Sequence, residues 1–378
     1  MSKERKFVRK RLSIVSLILV VTLLASVVAG CGAKPATTPP PTTSPVTSGS
    51  TESASASTGE MDLGPYTKEN PLSLSIVSYS SSGNVSPQNI TNNMYHDRLL
   101  ERTDGAIVLE VFNDGVLATN DREVFEGLQL GNFDMGTNNT SVMTNYAEAF
   151  KVLDIPFLFN GYDHVYSFMQ SEALTKVCDE LEAADTGVVC LALVALGFRH
   201  IASTKGPANV PDDLKGVLMR VIESEVYIDE FNALGCSPQA TASSEVLIAL
   251  QQGTIDAMEN TYNILMTGGY LEFCKYVSKT GHNLQFYGIT MSKKSYDALP
   301  AGVQKVLRDV ALEVAYDQSH DLEKTALEYE ERSKTEEGVA VNEVNRDAFL
   351  SRLTDVIAKY SSLYKESYDL IIATDPAK

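Results

Sequence analysis

The run Gly187-Val188-Val189-Cys190-Leu191-Ala192-Leu193-Val194-Ala195-Leu196 holds no charged and no large polar residue. Successive side chains of a strand point to opposite faces, so a strand apolar on both faces must be covered on both. The run therefore predicts a strand of a sheet covered on both faces. Upstream, Leu72-Ser73-Leu74-Ser75-Ile76-Val77 alternates and then turns apolar, as a strand entering a covered sheet does. The polar loop Tyr79-Ser80-Ser81-Ser82-Gly83-Asn84 follows it. A helix is expected from about 87 to 101 and a strand over 106–112. Asp121 reads as the N-cap of a helix with Val124, Phe125 and Leu128 on one stripe and Gly131 as its stop. A short strand over 133–136 leads into the polar run Thr137-Asn138-Asn139-Thr140-Ser141. One helical pattern fills 163–181. Downstream come a strand over 217–222, helices over 225–234 and 244–252, and a long helical pattern from 300 to about 336. That last helix would span ~50 Å at 1.5 Å per residue, more than one small domain. The alternation predicts an α/β fold with largely parallel sheets and a ligand crevice beyond the carboxyl ends of the strands.

Composition narrows the function. The chain has 378 residues, 44% hydrophobic and 21% charged, enough for a large core. Its formal charge of -18 argues against a surface that must neutralise nucleic-acid phosphates. Five cysteines lie at irregular spacings with no C-x-x-C pair, which excludes the common zinc and thioredoxin patterns. A bridge between Cys178 and Cys190 is one option for an exported chain, though nothing in the spacing singles it out. The sequence has no P-loop, no dinucleotide fingerprint, no H-E-x-x-H and no G-x-S-x-G, and no two of its histidines have metal-ligand spacing. No catalytic set, metal or cofactor is predicted.

The amino terminus reads as an address. Lys3, Arg5, Lys6, Arg9, Lys10 and Arg11 precede an uncharged stretch from Leu12 to Gly30 that ends in Val28-Ala29-Gly30-Cys31. This pattern resembles a bacterial lipoprotein signal, in which the cysteine becomes the first residue and is acylated. Cys31 holds that place. The alternative, an uncleaved anchor, does not explain the small residues beside the cysteine or the tether-like segment that follows. Loss of residues 1–30 removes six positive charges and one negative, taking the charge from -18 to -23. From 33 to 60 the chain is rich in Pro, Ser and Thr and too poor in apolar surface to offset the entropy of ordering, so a solvated leash is expected.

Within the predicted strand Val217-Leu218-Met219-Arg220-Val221-Ile222, Arg220 is the informative residue. A guanidinium there is expensive to desolvate unless an anion meets it. Its planar fork matches a carboxylate through two parallel hydrogen bonds. The anion is either a bound solute or an internal Asp or Glu. Arg199 would emerge at the carboxyl end of the long apolar strand, as a cationic contact in the crevice or as a hinge salt bridge. Asn260 can donate to and accept from a solute, or serve as a turn residue.

Several blocks now stand in order: Glu126-Gly127-Leu128-Gln129-Leu130-Gly131, Asp154-Ile155-Pro156-Phe157-Leu158-Phe159, Gly197-Phe198-Arg199-His200, Asp213-Leu214-Lys215-Gly216 with Arg220, Glu245-Val246, Ala249-Leu250-Gln251-Gln252-Gly253, Asp256, Glu259-Asn260 and Thr280-Gly281-His282. Over about 72–335 the chain resembles the solute-binding component of tripartite ATP-independent periplasmic (TRAP) transporters of the dicarboxylate-binding type. The resemblance implies a two-lobed periplasmic-binding-protein fold with a hinge and a long helix spanning both lobes. Lobe I would take 65–196 and lobe II 197–283, with 284–378 returning to lobe I and bridging the lobes. Residues 31–64 would be the acylated cysteine and linker.

It further implies that Arg220 grips a solute carboxylate, with Asn260 and Arg199 beside it and Asn139 at the distal end. Asp121 falls at a pocket position, although a helix cap explains it equally well. Ser243 takes a slot often filled by something larger and apolar, and Glu245 would support Arg220 or the hinge. Leu218 and Leu247 replace a usual lysine and tyrosine, and Asp256-Ala257-Met258-Glu259-Asn260 departs from the common Asp-Gly-Gln-Glu-Asn. The implied activity is an extracytoplasmic receptor, not an enzyme. It would be lipid-anchored to the membrane and would pass an organic acid to the small and large TRAP membrane subunits. A ligand-binding subunit for a sensor kinase is the alternative reading, and an exported hydrolase is the enzyme-class one.

Overall fold

The computed structural model describes residues 61–80 and 82–378. The leader, Cys31 and almost all of the linker lie outside the described residues. Two sheets organise the rest. The first has the strand order β2-β1-β3-β10-β4, from β1 (Leu72–Val77), β2 (Ile107–Phe112), β3 (Met135–Asn139), β4 (Val188–Phe198) and β10 (Leu284–Ser292). The second has the order β11-β9-β5-β8-β6-β7, from β5 (His200–Ser203), β6 (Leu218–Val221), β7 (Ser237–Ala240), β8 (Ala257–Asn260), β9 (Tyr276–Lys279) and β11 (Ala340–Glu343).

The sheets are mixed, which corrects the expectation of largely parallel ones. β10 runs antiparallel to both β3 and β4, and β5 runs antiparallel to both β8 and β9. The reason lies in the two short passages between sheets. β4 ends at Phe198 and β5 starts at His200, so only Arg199 separates the sheets on the way out. The chain comes back through Thr280 to Asn283 into β10. No helical crossover fits in such passages, so these strands cannot all run the same way. The two passages are tied by a hydrogen bond from the Arg199 N–H to the Asn283 carbonyl, 2.8 Å. β11 lies in the C-terminal segment yet joins the second sheet, beside β9.

β4 is buried along nearly its whole length and lies at the edge of its sheet, closed off by helices Glu172–Ala183 and Ala301–Thr335. The long helix, expected to run from 300 to about 336, covers Ala301–Thr335. Tyr95 donates to its Leu307 carbonyl near the first sheet, and Asn263 donates to its Leu322 carbonyl on the second sheet's side. Its Ala326 and Tyr329 pack against the second core cluster, which holds Val246, Met258, Leu265 and Val277. One helix thus braces both lobes.

Two local expectations change. The pattern over 163–181 is two helices, Tyr162–Met169 and Glu172–Ala183, broken where the Ser171 hydroxyl accepts from the Ala173 N–H at 3.2 Å. The polar run after the short strand is itself strand: β3 takes in Thr137, Asn138 and Asn139, all buried. The Asn138 side chain is satisfied across the sheet and by the preceding helix, through the 3.0 Å bond from the Thr290 hydroxyl to Asn138 Oδ1 and the 2.9 Å bond from Asn138 Nδ2 to the Asp121 carbonyl.

Candidate functional site

Arg220 sits in β6, flanked by β7 and β8, and is 3% exposed. Its Nε and Nη2 both donate to the Thr241 carbonyl, at 3.0 and 2.6 Å. Among the described residues no carboxylate lies within ion-pair distance of it, although β6 is surrounded by an acidic protein. Burial pushes its pKa below the ordinary arginine value, with Glu259 pulling the other way. A buried cation held by one carbonyl is a group waiting for an anion.

The space beside it is a cavity of about 40 Å³ whose wall includes Arg220, Asn260, Tyr270, Tyr79, Asp121 and Asn139. It adjoins a wider cleft of about 380 Å³ that shares Tyr79, Gln88, Ser243, Ile264 and Tyr270 with it. Asn260 ends β8, and its Oδ1 accepts from the Thr261 N–H at 2.9 Å. With the carbonyl oxygen used in this way, the side chain offers its NH2 to a guest.

The first sheet supplies the other side. Asn139 donates its backbone N–H to Asp121 Oδ1 at 2.8 Å, and its Nδ2 to Asp121 Oδ2 and to the Tyr79 hydroxyl, both at 2.9 Å. Burial lifts the Asp121 carboxyl to about 6 against the pull of the Asn139 hydrogen bonds. Asp121 is not the helix cap: Asn120 is, its Oδ1 accepting from the Glu123 N–H at 3.0 Å. Asp121 is thereby free to hold Asn139. At the rim, Arg122 pairs with Glu223 at 3.0 Å and Asn145 donates to the Glu223 carbonyl at 2.8 Å, joining the first sheet's helices to the end of β6.

Arg199 also reaches the cavity wall, but its donors are used within the protein. Nε pairs with Glu259, Nη1 donates to Gln285, and Nη2 donates to the Glu259 carbonyl at 2.7 Å. Of the two sequence readings for Arg199, the structure has the hinge salt bridge. Burial alone would raise the Glu259 pKa, yet Arg199 and the neighbouring His282 hold it below the ordinary value. Burial also drives His200 down to about 3, with His282 adding to the effect, so that imidazole stays neutral. Behind this pair, Asp154 accepts from the Ser141 and Ser224 hydroxyls at 2.6 and 2.7 Å, a second polar tie between the lobes.

The expected support from Glu245 is absent. Glu245 is exposed on helix Ser243–Gln252 and, among the described residues, makes no ion pair with Arg220. It occupies the third position of a helix whose inner stripe is Val246 and Leu250, which turns it outward. Thr241 and Glu259 take the supporting role. Ser243 does line both the cavity and the cleft. Sequence reading missed Tyr79 and Tyr270. Tyr79 had a signal, since it opens the polar loop at the carboxyl end of β1. Tyr270 had none, because it sits in a short turn after a helix.

The raised Asp121 pKa has a measurable consequence. Its folded value of about 6 stands above the ordinary 3.8. The cost of keeping it charged is therefore fully present above pH 6 and vanishes below about pH 4. Against Asp121→Asn, which has no such cost, the wild type should lose about 2–3 kcal/mol of relative stability between pH 4 and pH 7.5. Urea unfolding of both proteins at the two pH values checks this, and a difference that does not change with pH would contradict it.

Comparison with known proteins points the same way. The pattern of the family described as bacterial extracellular solute-binding protein, family 7, matches residues 79–363. The C4-dicarboxylate-binding periplasmic protein DctP of Vibrio cholerae is 30% identical over 233 residues, 60% of this chain and 68% of that one. A TRAP periplasmic solute-binding protein of Pseudomonas putida F1, solved with bound D-glucuronate, superposes with a TM-score of 0.75 at 27% identity, covering 79% of this chain and 96% of that one. One from Polaromonas, bound to D-erythronate, gives 0.72 at 25% identity, covering 80% and 98%.

Proposed function

The chain belongs to the bacterial extracellular solute-binding proteins, family 7, and on that premise we propose that it is the extracytoplasmic receptor of a TRAP transporter, closing on an organic acid through a carboxylate clamp made by Arg220 and Asn260. The observation that carries the clamp is Arg220 itself, buried on the cavity wall with one carbonyl for company and no carboxylate partner among the described residues. The solved relatives are transporter receptors with sugar-acid and hydroxy-acid guests, which favours a transporter over a sensor kinase. The division of the chain near 197 and 283 fits the two passages between sheets. Acylation of Cys31 would hold the receptor at the membrane, and the solute would leave unchanged.

The guest carries one carboxylate and a hydroxylated remainder. Among the described residues Arg220 is the wall's one cation without a carboxylate partner, since Arg199 is paired to Glu259. The side of the cavity built from the first sheet carries Asp121, which accepts from Asn139, and Asn139 also donates to the Tyr79 hydroxyl; this suits hydroxyl groups and repels a second carboxylate. Mass spectrometry of the solute retained by freshly purified protein tests the class. Calorimetry with chain-matched pairs follows: D-gluconate against D-glucarate, and D-erythronate against meso-tartrate. Each monocarboxylate that binds should do so at least tenfold more tightly than its dicarboxylate partner. Tighter dicarboxylate binding would reverse the assignment of Asp121, and a retained solute without any carboxylate would overturn the clamp.

A further inference from the structure

Four described cysteines are buried, and two of them meet. Cys178, on helix Glu172–Ala183, and Cys190, on β4, have their sulfurs 3.1 Å apart, inside the packed interior under the first sheet. That is closer than two unbonded sulfurs normally pack. Among the described residues no other cysteine pair comes within bonding reach, and Cys236 and Cys274 sit alone in apolar surroundings. The register of β4 explains the approach. Ile289 pairs with Ala192 and Thr290 with Cys190, so Leu191 is skipped and the strand bulges there. A bulge re-aims the side chain beside it, and here it accompanies Cys190 turning towards the helix.

We propose that Cys178 and Cys190 are joined by a disulfide in the exported protein. The family is extracytoplasmic, a compartment where thiols can be oxidised and disulfides persist. A disulfide needs its sulfurs at about 2.05 Å, about 1 Å closer than here, a shift that small side-chain rotations supply. In the reaction one Sγ–Sγ bond forms and both thiols lose their protons. The two electrons pass to a donor disulfide of an extracytoplasmic thiol oxidoreductase or of oxidised glutathione, which leaves as two thiols. Hydrogen bonding with Cys190 and burial hold the Cys178 thiol well above its usual pKa, which makes it a poor nucleophile, and both sulfurs are buried away from an outside oxidant. Oxidation therefore belongs to folding, before helix Glu172–Ala183 closes over β4. The bond then fixes the helix onto the strand that leads into the Arg199 hinge.

The test uses the full chain, exported through its own leader, quenched in acid, denatured and alkylated without reduction. Trypsin leaves both cysteines in the single peptide 177–199, because no Lys or Arg lies between Lys176 and Arg199. That peptide should be lighter by two hydrogens than its reduced form and should take up alkylating agent only after reduction. Cys236 and Cys274 should be labelled throughout. A second arm refolds the purified chain in mixed reduced and oxidised glutathione, where the same pair should oxidise. Cleavage at Glu180 or Glu182 then gives two peptides that stay linked until reduced. Cys190→Ser should leave Cys178 open to alkylation in both arms. Uptake of two alkyl groups by the unreduced wild-type peptide in both arms overturns the proposal, as does a linkage of either cysteine to a different one.

Discussion

Arg220→Ala should weaken binding of the retained solute by roughly 2–5 kcal/mol, or about 30- to 5,000-fold, the range measured when one member of a buried charge pair is removed. The affinity loss should come without a stability loss. In the free protein the guanidinium is 3% exposed, hydrogen-bonded among the described residues only to the Thr241 carbonyl, and depressed in pKa by its burial. Removing a charge that has no carboxylate within ion-pair distance among the described residues relieves desolvation that Glu259 offsets only from a distance, so the empty variant should unfold at the same temperature as wild type or a higher one. Arg220→Lys keeps the charge but loses the planar fork, and should recover only part of the affinity. Isothermal calorimetry and thermal unfolding of the three empty proteins decide the matter. Unchanged affinity in Arg220→Ala would remove the clamp. Equal losses of affinity and stability would make Arg220 a structural residue.

Arg220 was legible because of a contradiction visible in one dimension: a permanent charge inside Val217-Leu218-Met219-Arg220-Val221-Ile222. The long apolar strand and the long helix were legible because each repeats a single pattern over many residues. The residues that surround Arg220 were harder to read. Glu245 and Glu259 are both acids in blocks near Arg220, and sequence spacing favoured the wrong one. What separates them is the face each occupies. Glu245 stands outward on a helix whose apolar stripe is Val246 and Leu250, while Glu259 is fully buried in β8 against Arg199.

The polar run through Asn139 carries no strand pattern in the sequence, since its residues hydrogen-bond equally well in loops. It is strand because Asp121 and β10 supply the partners that solvent would otherwise provide. β10, central to the first sheet, carries no signal as clear as that of β4. Leu284-Gln285-Phe286-Tyr287-Gly288-Ile289-Thr290-Met291-Ser292 mixes polar and apolar side chains, and all of them are buried. Gln285 faces Arg199, Tyr287 meets Thr91 at 2.7 Å, and Thr290 meets Asn138. Such positions are set by partners far away in the chain, which no local pattern contains.

Glu259→Ala should have the opposite signature to Arg220→Ala, a large loss of stability with solute binding kept in the molecules that fold. Glu259 is fully buried against Arg199, which is 2% exposed, and Asp154 nearby already carries a carboxyl lifted to about 6 by its own burial. Without Glu259 the Arg199 guanidinium keeps its bonds to Gln285 and to the residue 259 carbonyl but has no bonded counter-charge. Breaking a buried pair in this way costs about 3–5 kcal/mol.

Replacing both partners, as Arg199→Met with Glu259→Leu, removes the two charges together. It should regain most of that loss, because a well-packed apolar pair escapes the desolvation penalty. Urea unfolding of the single and double variants gives the coupling. A Glu259→Ala loss under 1 kcal/mol would mean that the ion pair is not what holds the passage between the sheets. Binding separates the two arginines. Glu259 is the anion that offsets the burial of Arg220, so neutralising it as Glu259→Gln leaves the Arg220 charge more available to a solute carboxylate. Affinity in folded Glu259→Gln should therefore match or exceed wild type. A tenfold drop would place Glu259 in the clamp rather than in the hinge.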